Sequence, residues 1–143
     1  MIPKFRAWDK DSKVMREIQH LVWAEDNLIA HCPPRGHEFS EWFTVILNGW
    51  EYQLMQSTGL KDKNGVEIFE GDIVSVRNHP FQKTESSVGI EIDGDYKVSW
   101  NEYDLTWCAG NLLLARIKPY VAVIGNVYED GDLLNDSEDT KRN

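Results

Sequence analysis

The sequence predicts a mainly β fold: a small curled barrel, with β-hairpins packed against it from the N-terminal side and little helix. Three observations carry that expectation. The apolar runs are short and rich in β-branched and aromatic residues, as in Trp42-Phe43-Thr44-Val45-Ile46-Leu47 and Tyr120-Val121-Ala122-Val123-Ile124, and are too brief for helices. Glycine, asparagine and aspartate punctuate them where turns need positive φ or a side-chain acceptor. The stretch from Leu54 to Val76 gathers this turn chemistry most densely, with Gly59, Asn64-Gly65 and Gly71-Asp72 bounding two strand-like runs.

Taken in order, Phe5-Arg6-Ala7-Trp8 reads as a strand entering the charged turn Asp9 to Lys13, and Val14 to Trp23 supplies its return strand, although Glu17–Trp23 also suits one turn of helix. Residues 24 to 40 contain His31-Cys32-Pro33-Pro34-Arg35-Gly36-His37 and read as a loop. A second hairpin is expected from Trp42–Leu47 and Trp50–Met55 about Asn48-Gly49. The polar segment 77 to 87 carries no periodic signal and reads as a connection that tolerates insertion. Val88–Ile92 and Tyr96–Trp100 alternate, and a three-residue turn from Asp93 to Asp95 would place both apolar sets on one face. Leu105–Ala109 and Leu112–Ile117 flank Gly110-Asn111 as a further hairpin, although the leucine run also suits a helix. Tyr120–Tyr128 is the last strand, with a bulge or close backbone approach expected at Gly125. Beyond it the composition turns acidic, and residues 135–143 are expected to be a disordered tail. The domain reading is one β-rich unit over 1–134, with a hairpin part at about 1–58 and a barrel-like part at about 59–128.

A chain of 143 residues can bury a core without disulfide staples. With 24 acidic residues against 15 basic ones, its net charge is −9, which opposes binding to a phosphate backbone. Two cysteines, Cys32 and Cys108, lie far apart, so neither a disulfide framework nor a paired zinc motif is indicated. No apolar run approaches a membrane-spanning length, and the N-terminus lacks the apolar core of a signal peptide, so a cytoplasmic protein is expected. Six tryptophans exceed what a minimal core requires, but sheets commonly bury aromatics.

Three blocks carry a family resemblance: Lys4-Phe5-Arg6-Ala7-Trp8-Asp9, then Met55–Gly65 continuing through Ile68-Phe69-Glu70-Gly71-Asp72-Ile73-Val74, then Val123-Ile124-Gly125-Asn126-Val127-Tyr128-Glu129. In these blocks and their order the chain resembles the YopX family of bacteriophage and prophage proteins. The resemblance implies a small β-rich phage protein working in the bacterial host cytoplasm, with no catalytic residues to carry over. The motif positions Arg6, Trp8, Asp62, Asn64, Glu70 and Asp72 are the candidate binding residues, and Gly59, Gly65, Gly71 and Gly125 the candidate structural turns. The proline-containing 24–40 segment and the long acidic tail depart from the family pattern.

Gly71-Asp72-Ile73-Val74 resembles the opening of the first strand of SH3-like barrels, with Gly71 at positive φ and Asp72 bonded to the amides of its own turn. His31, Cys32 and His37 form the one close group of soft ligands, short of the four that tetrahedral zinc takes. Asp62, Glu67, Glu70 and Asp72 could converge on a divalent cation, but Lys61 and Lys63 flank Asp62 and the spacing is not that of a calcium loop. No nucleophile elbow or phosphate loop occurs. The expected function is a non-enzymatic accessory protein without cofactor or metal, binding a host or phage protein or its own copies, with basic regions the favoured partners. A metal-dependent hydrolase using Asp and Glu, and a binder that stacks single-stranded bases on aromatics, are the alternatives.

Overall fold

The computed structural model describes residues 3–33, 43–46, 52–78 and 92–134, and within them the chain is mainly β. It divides into two compact units, Met1–Ser57 and Thr58–Asn143.

In the first unit β1 (Phe5–Asp9) pairs antiparallel with β2 (Val14–Glu17), from Arg6 opposite Glu17 to Asp9 opposite Val14. Asp9 builds the turn between them. Its Oδ1 accepts the amides of Asp11 and Ser12, both at 3.1 Å, and its Oδ2 receives Arg16 Nε at 3.3 Å in a buried ion pair. On its other edge β1 pairs with the first half of β6 (Tyr52–Lys61), Phe5 opposite Gln56 and Asp9 opposite Tyr52. A separate sheet orders β3 (His20–Ala24), β4 (Asn27–Cys32) and β5 (Phe43–Ile46) side by side. Ala7, Ala30 and Cys32 form the fully buried centre, with Ile18, Leu21, Leu28, Tyr52 and Leu54 packed around it.

Three sequence expectations fail in this unit. Val14–Trp23 is not one strand: β1 has only five residues, so β2 finds partners as far as Glu17, and β3 turns to β4 instead. Residues 24–40 are not all loop, because Leu28-Ile29-Ala30 extends as the middle of β4, which ends at Cys32 just before Pro33. The partners of the expected second hairpin are also different, since β5 pairs with β4 and β6 with β1. Its Asn48-Gly49 turn, like the tail 135–143 and Val88–Ile90, lies outside the described residues.

The second unit begins with the end of β6, beside which runs β7 (Glu67–Phe69). Its main sheet is antiparallel and curled, ordered β11-β10-β9-β8-β12 from β8 (Asp72–Val76), β9 (Gly94–Asn101), β10 (Thr106–Ala109), β11 (Leu112–Leu113) and β12 (Val121–Asn126). Between β11 and β12 the chain makes one helical turn, α1 (Leu114–Ile117), then a 3-10 turn over Lys118–Tyr120. Leu114 and Ile117, three apart on α1, close over a core of Ile68, Val74, Val76, Ile92, Val98, Ala109 and Val121. The Gly110-Asn111 hairpin is present, and the leucine run divides between strand and helix. At Gly125 the β8–β12 register shifts, the bulge that the sequence suggested.

The expected turn from Asp93 to Asp95 is absent. Gly94 and Asp95 lie inside β9, opposite Val76 and Ser75. The Arg77 guanidinium holds them there, donating to Gly94 O at 3.0 Å and Asp95 Oδ1 at 3.2 Å, while Asp93 Oδ2 accepts the Asn78 amide at 3.2 Å. Alternation alone supplied no signal for β8 as the partner of β9.

Candidate interaction surface

The carboxylates singled out in the sequence bind backbone. Asp62, 7% exposed, accepts the amides of Asn64 and Val66 on Oδ1, at 2.8 and 2.9 Å, and that of Val123 on Oδ2, at 2.8 Å. One side chain thus closes the turn after β6 and holds β12 where it bulges. Burial alone would raise its pKa, but these three N–H donors and the charge of Lys63 bring it below the usual carboxylate range. Asp72, 2% exposed, accepts the Phe69 amide at 2.8 Å across the turn between β7 and β8. Gly71 occupies that turn at φ +86°, donating to Val98 O and accepting from Val127 N, both at 2.9 Å. Gly59 and Gly65 also have positive φ, whereas Gly125 is needed for space: a Cβ there would collide with the Asp130 carboxylate.

Asn64 is exposed beside Asp62 in its turn, and Glu70 is half-buried beside Gly71. Arg6, half-buried, and Trp8, 9% exposed, stand two apart on β1 in the first unit. The motif positions of the second unit therefore fall in two turns stitched to neighbouring strands by backbone bonds, which accounts for their residue types structurally.

His31 and Cys32 are adjacent on β4, and the His31 ring meets His20 edge-on at 6.2 Å. His37 lies outside the described residues. Among the described residues no three His, Cys, Asp or Glu side chains group as metal ligands. Burial pushes the Cys32 thiol up, with Asp9 adding to the shift and Arg16 opposing it, so the sulfur is a core atom and not an activated nucleophile.

An exposed apolar surface stands at the connection of β9 to β10. Asn101 ends β9, and its Oδ1 accepts the amides of Tyr103 at 2.9 Å and Asp104 at 3.0 Å, fixing the loop backbone. The loop presents Tyr103 at 99% exposure and Leu105 at 70%. At its base Trp100 and Trp107 stand directly opposite across the strands, with ring centroids 5.2 Å apart in an edge-to-face arrangement. Trp107 packs on the core while Trp100 is 44% exposed, so the pair carries apolar surface from the core outward at the base of the loop. Leu105 is at φ +52°, a region that costs a leucine about 1–2 kcal/mol relative to ordinary backbone. An exposed leucine in such a conformation contributes little to folding.

The sequence reading missed this surface, placing Trp100 in an inward-facing set with Tyr96 and Val98. Val98 is buried and Tyr96 half-buried, but Trp100 lies beyond the core, at the end of β9. The available signal was the run Trp-Asn-Glu-Tyr-Asp-Leu, in which Asn101-Glu102 and Asp104 interrupt the large apolar residues and break the period of two that a strand keeps. In the first unit, Trp23 on β3 is also exposed, at 74%.

The architecture and this turn chemistry define a mainly β protein whose motif residues secure the fold. The chain belongs to the YopX protein family, whose model matches residues 4–135. It is also similar to the crystal structure of protein EF1440 from Enterococcus faecalis, at 28% identity and a TM-score of 0.56 over 94% of this chain and 99% of that one. No curated protein matches the chain. Among the described residues no helix is long and apolar enough to cross a membrane.

Proposed function

We propose that this chain is a phage-encoded accessory protein of the bacterial host cytoplasm, acting as a non-enzymatic protein-interaction module whose contact surface is the β9–β10 loop. The observation that carries the proposal is the exposure of Tyr103 and Leu105 on a loop whose backbone Asn101 fixes. A loop with a fixed backbone loses little backbone freedom on binding, and exposed aromatics such as Tyr103 commonly anchor protein contacts. We read the curled sheet of the second unit as a small SH3-like barrel, an architecture suited to recognition through its loops. Hydrolysis by acidic residues finds less support, because Asp62 and Asp72 spend carboxylate oxygens on backbone amides. Base stacking on the aromatics is opposed by the net charge of −9. The test is retention of host and phage proteins by tagged wild-type chain and by a folded Tyr103→Ala/Leu105→Ser variant. A protein retained by the first and lost by the second is the expected result. Identical retention by both would refute the loop as the contact surface.

A further inference from the structure

We propose that the β9–β10 loop recognises an arginine-bearing basic segment of a partner protein, an inference that rests on reading this loop as the contact surface. Tyr103 stands between two exposed carboxylates, Glu102 and Asp104, and Trp100 is exposed at the base of the same loop. No lysine or arginine occurs between Lys97 and Arg116, so no basic side chain of the loop itself offsets the two acids in sequence. Aromatic faces flanked by carboxylates match a guanidinium in two ways at once: its plane stacks on the ring, and its N–H groups pair with the acids. Leu105 offers an apolar surface to the methylene stem below the charge. Arginine fits better than lysine, whose ammonium is a strongly hydrated point charge without a stacking plane. The same complementarity disfavours phosphate ligands and a second copy of this acidic chain, both of which bring negative charge to negative charge.

The probe is a short fluorescein-labelled peptide of alternating arginine and glycine, followed by anisotropy with the full chain. Three variants accompany the wild type: Tyr103→Ala, Glu102→Lys with Asp104→Lys, and Asp11→Lys with Asp132→Lys. The last pair makes the same change in net charge at exposed positions outside the loop. Circular dichroism confirms that each variant is folded. The expected result is saturable binding that weakens by at least ~10-fold in the first two variants and less than ~3-fold in the third, with the lysine counterpart of the peptide binding more weakly. Equal loss in both charge-reversed pairs would reduce the effect to overall acidity and overturn the proposal, as would absence of saturable binding to wild type. If partner retention depends on Tyr103 and Leu105 while the arginine peptide does not bind, the loop remains the contact surface and the basic partner is wrong.

Discussion

At the residue scale two side chains make opposite predictions. Asp62 gives each of its carboxylate oxygens to backbone donors, and its folded pKa lies below the ordinary value. A depressed carboxylate stabilises the fold above its unfolded pKa of about 3.9, and that contribution is lost as pH falls from there through the lower folded value. Asp62→Asn, which turns an amide NH2 toward donors, is expected to cost ~1–3 kcal/mol at neutral pH and to flatten the acid limb of the stability profile. Urea titrations between acidic and neutral pH check both, and a parallel profile for the variant would contradict the assignment. Leu105 predicts a gain: at φ +52° and 70% exposed, its replacement by glycine is expected to raise stability by ~0.5–1 kcal/mol while weakening partner binding. A lower melting temperature for Leu105→Gly would show that the leucine serves the fold.

At the scale of elements, the turns at Asp62–Gly65, Gly71-Asp72 and Gly110-Asn111 were legible in the sequence, whereas the absence of a turn at Asp93–Asp95 and the partnerships of β6 and β9 were not. Gly71-Asp72 and Asp62 to Gly65 announce themselves because positive φ and side-chain capping are local demands, satisfied within a few residues. The Gly125 bulge was legible for a similar reason, a glycine inside an apolar strand. Pairing is nonlocal, and the chain gives no direct sign that β9 would choose β8, or that β6 would choose β1 over β5. The exposed loop stayed hidden for that reason, since Trp100 reads as an inward residue until its position at the strand end is known. The bulge supplies a test at this scale. Gly125→Ala places a methyl against the Asp130 carboxylate, which itself accepts the Asn126 amide, and is expected to destabilise by ~1–3 kcal/mol. A urea midpoint equal to wild type would mean that the carboxylate yields without cost.

At the scale of the whole molecule, charge sets what the chain can meet. A net charge of −9 predicts no specific binding to single- or double-stranded DNA at physiological salt, and a dissociation constant below ~1 µM with steep salt dependence would contradict it. The family motifs secure the two turns of the second unit, and the β9–β10 loop is the contact surface proposed above. The most direct measurement of that claim is amide hydrogen exchange on the complex that tagged chain captures, compared with the free protein. Protection gained across Asn101 to Trp107, with the Asp62–Val66 turn and β3 unchanged, is the predicted result. Protection confined to β3 or to the Asp62–Val66 turn, with the loop exchanging as in the free chain, would contradict it.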